Sequence, residues 1–234
     1  MYYFALLLGP ESTEQPDADT GAAVFAAYEK FHAKAGAAIL AGDALTGSQE
    51  AVRISGGPDA PVVTDGPFAE SAEIANGFYV IEADDLDGAL ALARDIPACR
   101  SGAVEVWPMV EWNTPSRPLG ADTWLALLLE PPERPLRPGT PEWDEGVARH
   151  IAFGAAAGDR LSGGAALHPP STATTVRVRN DELVLTDGPF VEGAEVANGF
   201  YLISAADRDE AVKVASMIPA TTVELRRLAG ISGL

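Results

Sequence analysis

Residues 64–81 read TDGPFAESAEIANGFYVI, and residues 186–203 read TDGPFVEGAEVANGFYLI. The two stretches lie 122 residues apart and agree at 14 of 18 positions, the differences being Ala69/Val191, Ser71/Gly193, Ile74/Val196 and Val80/Leu202. The same offset relates Asp85 to Asp207 and Pro97 to Pro219, while Ala5-Leu6-Leu7-Leu8 matches Ala126-Leu127-Leu128-Leu129 at an offset of 121. A repeat of this length exceeds any solenoid unit, so a whole domain is duplicated. Residues 1–112 form the first copy and 123–234 the second. Between them NTPSRPLGAD, at 113–122, has the proline and glycine content of a linker.

Working outward from the box, each copy opens on an apolar run, 2–8 or 123–129, suited to a buried central strand. A helix is expected near 20–36, with Val24, Phe25, Tyr28 and Phe31 as its inner face and Gly36, matched by Gly158, as its stop. ATTVRVR at 173–179 alternates as a strand does, 183–186 follows a turn at Asn180-Asp181, and 77–83 or 199–205 is rich in aromatic and branched residues. A second helix starts at Asp85 or Asp207, the latter with a capping box to Glu210, and ends before Pro97 or Pro219. A last strand falls at 103–110 or 222–228. The order β-α-β-β-β-α-β predicts an α+β fold of two tandem ferredoxin-like domains. Each sheet would leave one apolar face bare, and the copies can cover each other there, giving an intrachain dimeric α+β barrel.

The 34 acidic and 16 basic residues leave a net charge of −18. With no cluster of lysine and arginine, neither nucleic acid nor an anionic membrane surface is an expected partner. Cys99 is the one cysteine, so no intramolecular disulfide forms. The start, MYYFALLLGPES, is apolar over only eight residues and lacks a basic leader. It reads as a strand rather than a signal peptide, and a cytoplasmic protein is expected. No Cys/His/carboxylate group has metal-site spacing, no glycine-rich phosphate loop follows a strand, and no nucleophile elbow is present.

The TDGPF…GFY box preceded by ATTVRVR resembles the DGPF branch of the YCII-related family over nearly the full length of both copies. The resemblance implies a barrel of paired ferredoxin-like domains, supplied here within one chain. It also implies proton-transfer chemistry by a histidine on the first helix, as His-x-x-Phe, and by the aspartate of the box. His150-Ile151-Ala152-Phe153 has the helix motif, whereas the first copy has Tyr28-Glu29-Lys30-Phe31 there, with His32 one turn further on. Asp65 and Asp187 are the box aspartates. The second copy is therefore expected to be the functional half.

An imidazole changes charge near neutrality, and a carboxylate on its other nitrogen fixes its tautomer; no spacing shows that the two meet, and it is the resemblance that implies His150 with Asp187 as the catalytic pair. Against this, Asp-Gly-Pro is a turn sequence whose carboxylate commonly accepts local N–H groups, and Asp65 persists in the copy without the histidine. The duplicated Glu70/Glu192 and Asn76/Asn198 either line a pocket or pin the loop to the next strand. Arg53 or Arg177 can hold an anionic substrate or pair on an acidic surface. Tyr28, Asp65, Arg177, Glu192 and Asn198 are the expected substrate contacts. The leading expectation is a cofactor-independent enzyme of elimination or isomerisation type acting on a small molecule. The alternative is a non-catalytic binding or regulatory module, since the resemblance also implies a setting beside sigma factors. An acidic surface is compatible with further homo-oligomerisation.

Overall fold

The two apolar runs that open the copies become strands buried on both faces. In the computed structural model, which describes residues 1–10, 17–68, 73–115, 117–131, 137–189 and 195–231, the first copy runs β1 (Tyr2–Gly9), α1 (Ala18–Ala35), β2 (Ile39–Ala44), β3 (Val52–Ser55), β4 (Val62–Asp65), β5 (Ile74–Glu82), α2 (Leu86–Ala93), α3 (Ala98–Ser101) and β6 (Ala103–Pro108). The second runs β7 (Thr123–Glu130), α4 (Pro141–Ala157), β8 (Leu161–Ala166), β9 (Thr174–Arg179), β10 (Glu182–Asp187), β11 (Val196–Ser204), α5 (Arg208–Ala215) and β12 (Thr222–Arg227). Each copy thus has one strand more than its sequence suggests. The additions are β2, ILAGDA, and β8, LSGGAA. Their alanines and glycines lack the branched and aromatic side chains that mark a strand.

Strands alternate their side chains between faces. Phe4, Leu6 and Leu8 of β1 therefore meet Leu125, Leu127 and Leu129 of β7 in one cluster between the sheets. Tyr3, Ala5 and Leu7 face the helices of the first half, and Trp124, Ala126 and Leu128 those of the second. Three phenylalanines stack at the seam: Phe4 lies 4.4 Å from Phe200 and 5.8 Å from Phe78, ring centre to ring centre. Trp107 and Trp112 complete this layer, whereas Trp124 packs under the helices. Face-to-face packing of the duplicated sheets is what the repeat predicts.

The copies also exchange strands. One sheet runs β10-β9-β6-β1-β5-β2 and the other β4-β3-β12-β7-β11-β8, with every pairing antiparallel. Four consecutive strands of each, β6-β1-β5-β2 and β12-β7-β11-β8, are one ferredoxin-like copy. The two at the other end, β10-β9 and β4-β3, are a hairpin given by the other copy, with Val176 set opposite Val104 and Ile54 opposite Val223. Ion pairs cross at both exchanges. Arg53 meets Glu224 at 3.2 Å, with its guanidinium 4.7 Å from the centre of the Phe68 ring, and Arg177 meets Glu73 at 3.0 Å. Asp43, buried on β2, accepts the backbone N–H groups of Gly230 and Ile231 and so ties the end of the second copy to the first.

Capping follows the sequence closely. Asp17, Asp85 and Asp207 each accept the N–H three residues on, and Glu210 accepts from Ala206. Gly36 and Gly158 take φ of +52° and +58° past the ends of α1 and α4, where a side chain would be strained. The expected inner face of α1 is corrected. Phe31 is buried, but Val24 and Phe25 are 50% and 58% exposed. Phe25 points about 100° away from Val24, one residue step around a helix, and every residue from 22 to 27 is exposed, so only the last turns of α1 lie on the sheet. The second helices close at Ala93 and Ala215, short of Pro97 and Pro219. Among the described residues no helix is long and apolar enough to cross a membrane.

Candidate functional site

Between α4 and the outer face of β7, β8 and β11 lies a cavity of about 110 Å³. His150 and Trp143 enter it from α4, Tyr201 and Asn198 from β11, and His168 from the loop after β8. The remaining wall is apolar, Leu128 and Pro169 included, and among the described residues no Asp, Glu, Lys or Arg lines it. In size it is comparable to a cavity of about 150 Å³ that accepts benzene.

Tyr201 is placed by glycine. It pairs with Gly164 on β8, where a Cβ would collide with the tyrosine ring, so the ring lies flat over the neighbouring backbone. Its hydroxyl sits 2.9 Å from Nδ1 of His150. Burial, with Arg149 alongside, pushes the His150 pKa down to about 4, and burial pushes the Tyr201 phenol up to about 12. Both partners are therefore neutral at physiological pH. The bond holds in either tautomer: the phenol donates to Nδ1, or Nδ1–H donates to the phenol oxygen, and the second arrangement leaves Nε2 as a base.

Asn198 occupies a β-bulge. Ala197 and Gly199 pair with Leu129 and Leu128, so Asn198 is the extra residue that the ladder skips. A bulge re-aims the side chain it carries. The Asn198 carbonyl oxygen Oδ1 is buried without a hydrogen-bond partner, while the residue's backbone oxygen takes the N–H of Leu167. His168 is held across the copies by its N–H on the Pro108 oxygen.

The other residues singled out in the sequence lie elsewhere. Asp187 ends β10, exposed, in backbone register with Thr174 on the sheet built around the first copy, so it does not line the cavity that holds His150. The ring nitrogen of His150 meets a phenol rather than this carboxylate because the hairpin carrying Asp187 is exchanged onto the other sheet. Asp65, also exposed, forms an ion pair with Arg208 at the start of α5. Arg177 holds Glu73 rather than facing the cavity. Tyr28 packs against the core of the first half, its pKa raised to about 12 chiefly by burial, next by Cys99, and eased by the Ala98 backbone. Glu70 and Glu192 lie outside the described residues. Of the expected set, His150 and Asn198 come together.

Sequence reasoning passed over Tyr201, His168 and a second pair. In the first half Nε2 of His32 lies 2.7 Å from the hydroxyl of Tyr79, which is the counterpart of Tyr201 and rests over Gly42 as Tyr201 does over Gly164. Burial lowers the pKa of His32 and raises that of Tyr79. Positions 28 and 32 are one turn apart and share a helix face. The imidazole of the first half thus stands one turn further along its helix than that of the second, each bonded to its phenol, with Tyr28 at the position matching His150 and Gly154 at the position matching His32. The signal was available: the tyrosine and its glycine are both duplicated.

The whole chain is similar in fold to the crystal structure of a protein provisionally described as a chlorite dismutase, at 12% identity and a TM-score of 0.44, over 97% of this chain and 93% of that one. An uncharacterised protein of Rhizobium meliloti (strain 1021) is 46% identical over 50 residues, a match that spans 20% of this chain and 40% of that relative's length. The model of the YCII-related domain matches twice, over residues 1–113 and 131–228. Two matches covering most of the sequence, one on each copy of the repeat, place the chain in the YCII-related family.

Proposed function

We propose that the second half binds a small organic molecule in the cavity beside α4, and that His150 moves a proton on it. The observation that carries this reading is a neutral imidazole, pinned by Tyr201, in the wall of a largely apolar cavity. Such a cavity, with few and convergent polar groups, is the usual form of a small-molecule site. A general base must be unprotonated at working pH, and the depressed pKa keeps His150 so. The same depression makes it a weak base, which restricts it to protons the substrate already activates, as elimination or isomerisation beside a carbonyl requires. When Nε2 accepts a proton, Nδ1–H donates to the Tyr201 oxygen, so the phenol takes the supporting role first assigned to Asp187.

The alternative reading, a binding or regulatory module of the DGPF branch without turnover, is favoured by the absence of a carboxylate from the cavity wall among the described residues. The two separate in one experiment. Small cyclic ketones and phenols are screened for binding by saturation-transfer NMR, and each binder is followed for uptake of solvent deuterium. Catalysis predicts uptake with the native protein and its loss, with binding kept, in His150→Ala. Undiminished uptake in that variant removes His150 from the chemistry, binding without uptake supports the module, and no binding at all removes the site.

A further inference from the structure

We propose that Asn198 selects the ligand by its hydrogen-bond donor: the cavity takes an uncharged molecule of about benzene's size that presents an O–H or N–H to Oδ1 of Asn198. This rests on the binding site proposed above and names the chemistry of its occupant. Three observations lead to it. The Asn198 oxygen is buried and unpartnered, although a buried amide carbonyl is ordinarily satisfied. It belongs to the residue that a bulge ejects from the ladder, so the backbone is bent where this side chain meets the cavity. The neighbouring polar pair, His150 and Tyr201, is already internally bonded and neutral, and the described wall holds no Lys, Arg, Asp or Glu to pair with an ion.

A ligand that fills the cavity without a donor leaves the Asn198 oxygen buried and unpaired, as it is now. A ligand with a donor satisfies it. Sites built to bond a hydroxyl reject the analogue that lacks one far more strongly than apolar pockets reject a missing methylene.

Three probes of one ring size test this at pH 7: phenol, anisole and benzoate. Calorimetric or NMR titration of the native protein is expected to give binding of phenol, binding of anisole at least ~10-fold weaker, and none of benzoate. In Asn198→Ala, its fold checked by circular dichroism, the preference for phenol over anisole is expected to shrink towards unity. Equal binding of phenol and anisole by the native protein, or binding of benzoate as tight as phenol, overturns the donor rule while leaving the cavity a binding site. An undiminished preference in the alanine variant takes the role from Asn198. Failure of all three probes removes the binding site itself, and the donor rule with it.

Discussion

The two halves started from one sequence and solve the same local problem differently. In the second half the imidazole stands at position 150, touches Tyr201 through Nδ1, and leaves a cavity beside it. In the first half Tyr28 fills that position, and His32, one turn on, reaches Tyr79 through Nε2. The first half also carries the short helix α3 between Pro97 and β6, against which Tyr28 packs, while β12 follows Pro219 almost directly. What has persisted in both is the tyrosine over its glycine. What differs is the residue at the helix position beside it, His150 in one half and Tyr28 in the other. The comparison teaches that the phenol belongs to the architecture of the domain, whereas the place of the imidazole on the helix varies between the halves.

Four experiments break or sharpen this contrast. The largest effect is expected at the seam the halves share. Phe200→Ala removes a ring stacked on Phe4 and tilted against Phe78 and Trp112, and should cost about 3–5 kcal/mol in urea unfolding. Because each sheet contains strands of both copies, unfolding should remain a single transition. Two resolved transitions would mean that the halves are independent after all.

Next comes acid. The folded pKa of His150, about 4, lies below its ordinary 6.5, so between those values the unfolded chain binds a proton that the folded one refuses. The contribution to stability is complete above about pH 6.5 and is lost as the pH falls towards 4, by roughly 3 kcal/mol. His150→Gln should flatten that part of the profile. His32→Gln should act in the same direction but less, and equal effects would erase the distinction between the two imidazoles.

Tyr28→His gives the first half the residue that the second carries at position 150 but empties space that Tyr28 now fills, at a cost of about 2 kcal/mol, read from the midpoint of unfolding. A neutral result would mean that the first half already holds unfilled room. The smallest effect concerns the ion pairs at the exchanged hairpins. Arg177→Ala should cost about 1–2 kcal/mol, and Arg53→Ala about 1 kcal/mol or less because its guanidinium is more open to water. The reverse order would show that stacking on Phe68 outweighs the ion pair.

Much of the architecture was legible because duplication is self-evident in the TDGPF…GFY boxes and because β1 and β7 are apolar on both faces. The strands β2 and β8 were not legible. Gly42 and Gly164 are there to admit the rings of Tyr79 and Tyr201, a reason that exists only once the neighbouring strand is in place. The exchange of hairpins was hidden for a related cause. An alternating strand such as ATTVRVR states which side it buries but not which copy's edge it joins. At the site, His150 and Asn198 were read from the sequence, the first from its motif and the second from its repetition. The partnership with Tyr201 was missed because an identical tyrosine within a core strand is more economically read as packing. The expectation for Asp187 rested on the family resemblance alone, with no spacing to bring it to His150, and the exchange carries the box onto the other sheet.

The exchanged hairpins set a timetable for biosynthesis. The sheet built on β1 gains the strands β9 and β10 only when residues 174–187 have been made, and β3 has no neighbour on its β12 side until residues 222–227 emerge. A nascent first copy therefore waits on the ribosome with an open edge at β6 and with Val62 and Val63 of its own hairpin exposed. Pairings this distant in sequence are slow to form and prone to aggregation meanwhile. Cells that make this protein have reason to finish it quickly or to shield its first hundred residues until the rest arrives.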